Sequence, residues 1–132
     1  LRQLEFSLFD FRIHLEYSPE EGGRIQEILD EVRKDFCVVP IAPYARFQHS
    51  FGHIFAGGYA AGYYSYLWAE VLSQDAFAKF EEDGIFNPET GQAFLQKILE
   101  KGGSEDAENL FVDFRGREAD VTPLLRHRGL VA

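Results

Sequence analysis

The sequence has no methionine and only one cysteine in 132 residues. A lone cysteine excludes a disulfide within the chain, and Cys37 lies beside Phe36 and Val38, where a buried, unreactive thiol is expected. No apolar run approaches the roughly 18 residues that cross a bilayer, and residues 1–20 mix acidic and basic groups where a secretory signal would be apolar. These absences favour a reducing compartment and predict a cytoplasmic location.

Positive charge is also scarce: 13 lysines and arginines face 22 aspartates and glutamates, for a formal net charge of -9. An acidic surface repels nucleic acid and anionic membranes and offers neither of them the counterion release that drives binding to a basic patch. We therefore expect neither nucleic acid nor a membrane as a partner.

Hydrophobic and aromatic residues are plentiful, at 45% and 15% of the chain, and 13 residues are phenylalanines. This is the composition of a folded protein, and the length fits one domain that buries roughly two thirds of its unfolded surface. No stretch alternates with a period of two, whereas helical spacing recurs throughout. The predicted fold class is all-α, with residues 1–132 forming a single segment.

The first predicted helix covers residues 1–16. Its apolar stripe is flanked by further apolar residues, which predicts burial on more than one side. The stripe comprises Leu1, Leu4, Leu8, Phe11 and Leu15, and Phe6, Phe9 and Ile13 widen it. Because the chain starts at full helical periodicity and without an initiator methionine, we expect it to be part of a longer protein.

Glycines and prolines divide the rest of the chain. A second helix is predicted over about 24–36, followed by an extended connection through "VPIAPYARFQHSFGH". The third runs from the Gly57-Gly58 pair to about residue 82, and the fourth begins at Pro88 with Asn87 as its N-cap. A fifth follows residues 104–106, and a short last helix starts at 122–123 and closes at residue 129.

The segment "HSFGH" places His49 and His53 at the i,i+4 spacing with which two imidazoles can share a zinc ion on one helix. A zinc peptidase helix also needs a glutamate directly after the first histidine, and Ser50 occupies that position. Gly52 further weakens a helix here, so two unrelated histidines are the favoured interpretation.

The stretch "FRGREADVTPLLRHRGL" concentrates positive charge in an acidic chain. The favoured interpretation is a solvated surface whose cations oppose helix dipoles, and the alternative is capture of a carboxylate by a guanidinium. The residues concerned are Arg115, Arg117, Arg126 and Arg128.

The segment "FGHIFAGGYAAGYYSYLWAE" holds four tyrosines behind a glycine pair. On a helix, Tyr59, Tyr63 and Tyr66 would share a strip about 60° wide. A separate apolar face, predicted to contact the core, would contain Tyr64, Leu67, Trp68 and Val71.

Two interpretations of the phenol strip remain open. It could be a second packing surface, or its hydroxyls could donate hydrogen bonds to an oxyanion, with Gly57 and Gly58 permitting motion as the segment closes on a ligand. A phenol cannot hydrolyse a peptide by itself, so the second interpretation needs a nucleophile from elsewhere.

The stretches "RQLEFSLFDFRIH", "FGHIFAGGYAAGYYSYLWAEVLSQDAF" and "FRGREADVTPLLRHRGL" resemble the C-terminal part of the thimet oligopeptidase family of zinc metallopeptidases, in its oligopeptidase A and dipeptidyl carboxypeptidase branch. The resemblance covers nearly the whole chain. It implies the C-terminal part of a helical clamshell enzyme that hydrolyses peptide bonds in short peptides, with zinc held by an H-E-x-x-H helix and a later glutamate.

The resemblance also implies roles for individual residues. Tyr66 would donate a hydrogen bond to the scissile carbonyl and the tetrahedral intermediate, and His53 and Tyr59 would bind substrate backbone or assist at the oxyanion. Tyr63 would line the substrate channel, and Gly57-Gly58 would let the loop adjust.

The sequence departs from the family pattern in two places. No H-E-x-x-H occurs, so this chain alone is expected to bind no zinc and to be inactive, with the metal ligands supplied by a missing N-terminal part of the same enzyme. Ala119 follows Glu118 where the family usually has proline. A competing hypothesis is a stand-alone helical domain that binds a peptide or protein without catalysis.

Overall fold

The computed structural model describes all residues 1–132 and contains helices and no β-strand, which confirms the all-α prediction. No helix is both long enough and apolar enough to cross a membrane. A 3₁₀ turn covers Phe47–Ser50 and a π-helical turn covers Leu95–Leu99. The α-helices are α1 (Arg2–Leu15), α2 (Ile25–Phe36), α3 (Gly52–Phe55), α4 (Ser65–Asp83), α5 (Pro88–Phe94), α6 (Ala107–Arg115) and α7 (Thr122–His127).

The chain forms two compact units, residues Leu1–Leu67 and Trp68–Ala132. Each unit has its own buried apolar residues, and they are described in turn. That residues 1–132 act as one domain stays a prediction.

The core of the first unit is aromatic on one side and aliphatic on the other. α2 contributes a helical stripe of buried aliphatic residues, and the rings come from α1, from the 3₁₀ turn and from the segment after it. Phe6 stacks on Phe47 with ring centroids 4.3 Å apart and lies 5.3 Å from Phe51. The buried cluster contains Phe6, Phe9, Ile28, Leu29, Val32, Phe51, Ile54 and Tyr63.

α1 buries only one of the sides that were predicted to be buried. Phe9 is fully buried and Phe6 nearly so, whereas the predicted stripe is exposed, from 37% at Leu8 to 84% at Leu15. The prediction of burial on more than one side was wrong for this chain, because α2 and the aromatic segment cover only the side of α1 that carries Phe6 and Phe9. The leucine stripe is left as an apolar surface.

The third predicted helix starts later than expected. Residues 57–64 form turns and α4 begins at Ser65, because Gly58 and Ala61 adopt left-handed backbone angles, φ 79° and 53°, that interrupt a right-handed helix. The predicted core face was wrong: Tyr64 and Trp68 are 46% and 57% exposed, and Tyr63 is the buried ring.

Cys37 also differs from its prediction. The thiol is partly exposed and lies 3.0 Å from the carbonyl oxygen of Val39, and Val38 and Val39 are about three-quarters exposed. α2 ends at Phe36, so the apolar residues that follow leave the core side of the helix.

The second unit follows the predicted punctuation closely. Asn87 caps α5 by accepting a hydrogen bond from the backbone N–H of Glu89 at 2.9 Å, with Pro88 in the first position. Asp106 caps α6 in the same way. The rings of Phe80, Phe94 and Phe114 pack together. The other buried apolar side chains of this unit are Ala78, Leu110, Phe111 and Leu124.

Three of the four arginines near the chain end bind carboxylates of the second unit, and Arg126 is exposed. The solvated-surface interpretation was wrong for Arg115, whose side chain is 5% exposed, whereas Arg117 is ion-paired and still 42% exposed. Both donate to Asp75, which is 0% exposed, at distances of 2.5–3.0 Å. The backbone N–H of Asp120 donates to the same carboxylate at 2.8 Å. Arg128 similarly pairs with Glu70. Asp75 thus connects α4 to the turn that joins α6 and α7.

Candidate functional site

The structure brings together the imidazole and the phenols that the sequence singled out. The ring of Tyr66 stacks on Tyr59 with centroids 5.0 Å apart and lies 5.1 Å from Tyr63. His53 makes edge contacts with Tyr63 and Tyr66, at 5.6 Å and 5.9 Å, and lies 6.0 Å from Tyr59. We call these four residues the tyrosine–histidine cluster.

A turn, and not a helix face, assembles this cluster. α3 ends at Phe55, and the carbonyl oxygen of His53 accepts hydrogen bonds from the N–H groups of Gly57 and Tyr59, at 3.2 Å and 3.0 Å. A Cβ at Gly57 would lie 2.9 Å from that carbonyl oxygen, so the close approach requires glycine. Gly58 has open space around it but a φ of 79°, so it is required for its backbone angle.

Burial divides the cluster into an exposed part and a supporting part. Tyr66 is 40% exposed, His53 is exposed and Tyr59 is partly exposed, so all three side chains are open to solvent. Tyr63 is 6% exposed and packs its ring against Phe51 at 4.9 Å. In this chain Tyr63 supports Tyr66 from the core side, and its contact with substrate stays a prediction.

The hydroxyl of Tyr59 affects the ionisation of Tyr66. Interaction with the hydroxyl of Tyr59 raises the pKa of Tyr66 above its usual value, and desolvation and the nearby phenols of Tyr59 and Tyr63 act in the same direction. Because the unperturbed phenol already titrates near pH 10, Tyr66 is protonated at neutral pH. It is therefore an O–H donor that can be offered to a developing negative charge.

Tyr59→Phe should lower the pKa of Tyr66, because the variant lacks the hydroxyl whose interaction with Tyr66 favours the neutral phenol. Titration of specifically labelled tyrosine by NMR should show the midpoint for Tyr66 at a lower pH than in the unmodified chain. Any activity that needs the Tyr66 proton should then be lost at a lower pH in the alkaline range. Tyr44→Phe removes an 84% exposed tyrosine outside the cluster and is the control. An unchanged Tyr66 titration in the Tyr59 variant would contradict this coupling.

The residues of this chain do not fit a zinc ion. No group of three or more His, Cys, Asp or Glu side chains within residues 1–132 is arranged to hold a metal. His49 lies on the 3₁₀ turn and His53 on α3, with Phe51 between them in a non-helical conformation, so the i,i+4 spacing does not place the two imidazoles on one helix.

Sequence reasoning missed Asp10, which contacts the segment that carries the cluster. Its carboxylate is 1% exposed and accepts hydrogen bonds from the backbone N–H groups of Ala61 and Tyr63, both at 2.9 Å. The available signal was an acidic residue in "LFDFR", directly after the buried Phe9 of α1. A buried carboxylate must find donors, but the sequence did not identify which ones.

The sequence model that describes Peptidase family M3 matches residues 1–130 of this chain. The match covers nearly the whole chain and includes α1, the tyrosine–histidine cluster and the Asp75 contacts. The chain belongs to Peptidase family M3.

Three curated relatives show where the chain stands within that family. Oligopeptidase A of Escherichia coli is 60% identical over 130 residues, 98% of this chain. The probable cytosolic oligopeptidase A of Arabidopsis thaliana is 51% identical over 136 aligned residues, 100% of this chain, and the dipeptidyl carboxypeptidase of E. coli is 40% identical over 132, 96% of this chain. In each case the match spans 19% of the relative's length.

Proposed function

We propose that this chain supplies the oxyanion-binding side of a peptidase active site that acts on short peptides. The observation that carries the proposal is the convergence of His53, Tyr59 and Tyr66 on one accessible surface, with a protonated phenol on Tyr66. Membership of Peptidase family M3 and the names of the relatives support peptide hydrolysis as the reaction.

The chemistry requires a hydrogen-bond donor. When water adds to a peptide carbonyl, negative charge develops on the carbonyl oxygen, and an O–H placed beside that oxygen stabilises the transition state more than the ground state. Tyr66 would donate to this oxygen. His53 and Tyr59 would hold the peptide backbone beside it, and the turn at Gly57-Gly58 would let the segment adjust as substrate enters.

In this proposal, residues outside this chain bind the metal and provide the nucleophile. Family M3 peptidases are metallopeptidases, and zinc is the proposed metal, but none of the side chains described here forms a set of ligands for it. The chain spans about a fifth of the length of the curated relatives, and we assign the metal ligands and the general base to the remainder of such a protein.

The substrate would be an oligopeptide, and the partner of the exposed leucine stripe on α1 would be the N-terminal remainder of the enzyme. We place the enzyme in the cytoplasm, and the name of the Arabidopsis thaliana relative, a probable cytosolic oligopeptidase A, supports this location.

The 132-residue chain alone should bind no stoichiometric zinc and hydrolyse no short peptide. Metal analysis after dialysis against zinc, together with a fluorogenic peptide assay, would measure both properties. One tightly held zinc ion per chain would contradict the assignment of the ligands to other residues.

A chimera tests the function directly. Residues 1–130 would replace the matching 130 residues of E. coli oligopeptidase A, and peptide hydrolysis should be retained because the oxyanion donors are retained. A folded, zinc-loaded chimera without activity would contradict the proposal. If the isolated chain then bound peptides, a domain that binds without catalysis would replace it.

A further inference from the structure

Asp10 is a buried carboxylate whose partners lie far away in the sequence. Oδ1 accepts the N–H of Ala61 and Oδ2 accepts the N–H of Tyr63, each at 2.9 Å and across more than fifty residues. A carboxylate removed from water is stable only when donors replace its hydration, and these two N–H groups do so. Both oxygens are thus committed to one short stretch of backbone.

That stretch is the turn between the glycine pair and α4. Ala61 has a φ of 53°, a left-handed conformation that a residue with a Cβ keeps only when its surroundings hold it. The two bonds from Asp10 flank Gly62, so they fix the backbone on both sides of the point where the chain turns toward Ser65. Tyr63, one of the two residues that donate to Asp10, also carries a ring of the tyrosine–histidine cluster.

His14 holds the carboxylate in turn. Its Nδ1 lies 2.7 Å from the backbone oxygen of Asp10 and 3.1 Å from Oδ1, so a proton on Nδ1 is donated toward Asp10. Asp10 is therefore restrained from two directions, by α1 itself through His14 and by the turn through Ala61 and Tyr63. A side chain held in this way can impose its position on the backbone that it binds.

We propose that Asp10 is a positioning residue for the oxyanion donors: by clamping the N–H groups of Ala61 and Tyr63, it sets the place of the Tyr66 hydroxyl. The inference rests on the proposed function of Tyr66. Asp10 touches no substrate and acts through the turn. Releasing the clamp lets the turn move and misplaces the phenol, and a displacement of about 1 Å can cost roughly 10²-fold in rate.

The first arm of the test uses the 132-residue chain itself. Amide hydrogen exchange by NMR should be at least about tenfold faster at Ala61 and Tyr63 in Asp10→Ala, because local opening no longer breaks two bonds to a carboxylate. Asp10→Asn keeps one acceptor oxygen and should give a smaller acceleration, and it serves if the alanine variant does not fold. Asp35→Asn, on an exposed position of α2, is the control. Unchanged exchange at both amides would overturn the clamp.

The second arm uses the chimera with E. coli oligopeptidase A. Asp10→Asn should lower kcat about tenfold or more with a smaller change in KM, and this loss should largely disappear when Tyr66 is already phenylalanine. If Asp10 only stabilised the fold, Asp10→Asn would lower kcat by the same factor whether residue 66 is tyrosine or phenylalanine. That result would overturn the proposal. A normal kcat for Tyr66→Phe would overturn the proposed function, and the positioning role with it, even where the exchange arm still shows the clamp.

Discussion

Replacing Tyr66 with phenylalanine in the chimera should lower kcat by about 10²-fold or more, the usual loss when one oxyanion donor is removed. The variant keeps the ring that stacks on Tyr59 at 5.0 Å, so the packing of the cluster is preserved. Only the O–H is lost. Since that donor is needed most when charge has developed on the carbonyl oxygen, KM should change much less than kcat.

A matched control removes a phenol of similar exposure without touching the cluster. Tyr64→Phe is suitable, since Tyr64 is 46% exposed and stacks on Phe11 at 5.0 Å. Its kcat should stay close to that of the unmodified chimera. Steady-state kinetics on a peptide substrate, with zinc content measured for each variant, would check both; a Tyr66→Phe enzyme with near-normal kcat would refute the assigned role.

Asp75→Asn should destabilise the chain by about 3 kcal/mol, because it leaves guanidinium groups facing a neutral amide in a buried position. The loss falls at the lower end of the range for broken buried pairs because Arg115 keeps its bond to Glu82 at 2.7 Å. Urea unfolding followed by circular dichroism would measure it. Asp113→Asn, which weakens an exposed contact with Lys97, is the control and should cost less than about 1 kcal/mol.

The pH dependence follows from the same contacts. Burial of Asp75 raises its pKa, but the hydrogen bonds from Arg117, from the N–H of Asp120 and from Arg115 outweigh burial, so the pKa lies below the usual value. The stabilisation is complete above the unfolded pKa of about 4 and is lost as the pH falls through the lower folded pKa. Acid should therefore weaken the unmodified chain more than Asp75→Asn. Equal acid sensitivity would contradict the role of this carboxylate.

Local signals in the sequence predicted much of the helical structure. The N-cap at Asn87, the proline that follows it and the close at Gly129 act through neighbouring residues, and the structure has α5 and α7 where these signals place them. Family M3 membership, which the resemblance implied, is confirmed. The roles assigned to His53, Tyr59 and Tyr66 stay predictions, although the structure groups their rings.

The parts that the sequence did not predict depend on distant partners. A helical pattern from Tyr59 onward was misleading because a left-handed angle at Ala61 and two bonds from Asp10 stabilise a turn instead. The arginines at 115 and 117 could not be assigned to internal ion pairs because Asp75 lies forty residues earlier. Periodicity reports which face of a helix is apolar, but on α1 it did not report which apolar face a neighbour covers.

The clamp from Asp10 has a consequence for what a short peptide can reproduce. A synthetic peptide of residues 51–70 would contain every ring of the cluster and both glycines, but it would lack the carboxylate that makes the left-handed turn stable. In the whole chain, bringing Asp10 to the turn closes a loop of some fifty residues, and the packing of α1 on α2 offsets the cost in chain entropy. A twenty-residue peptide has no comparable source of order. Transplanting these phenols into another scaffold would therefore require a buried acceptor as well as the rings.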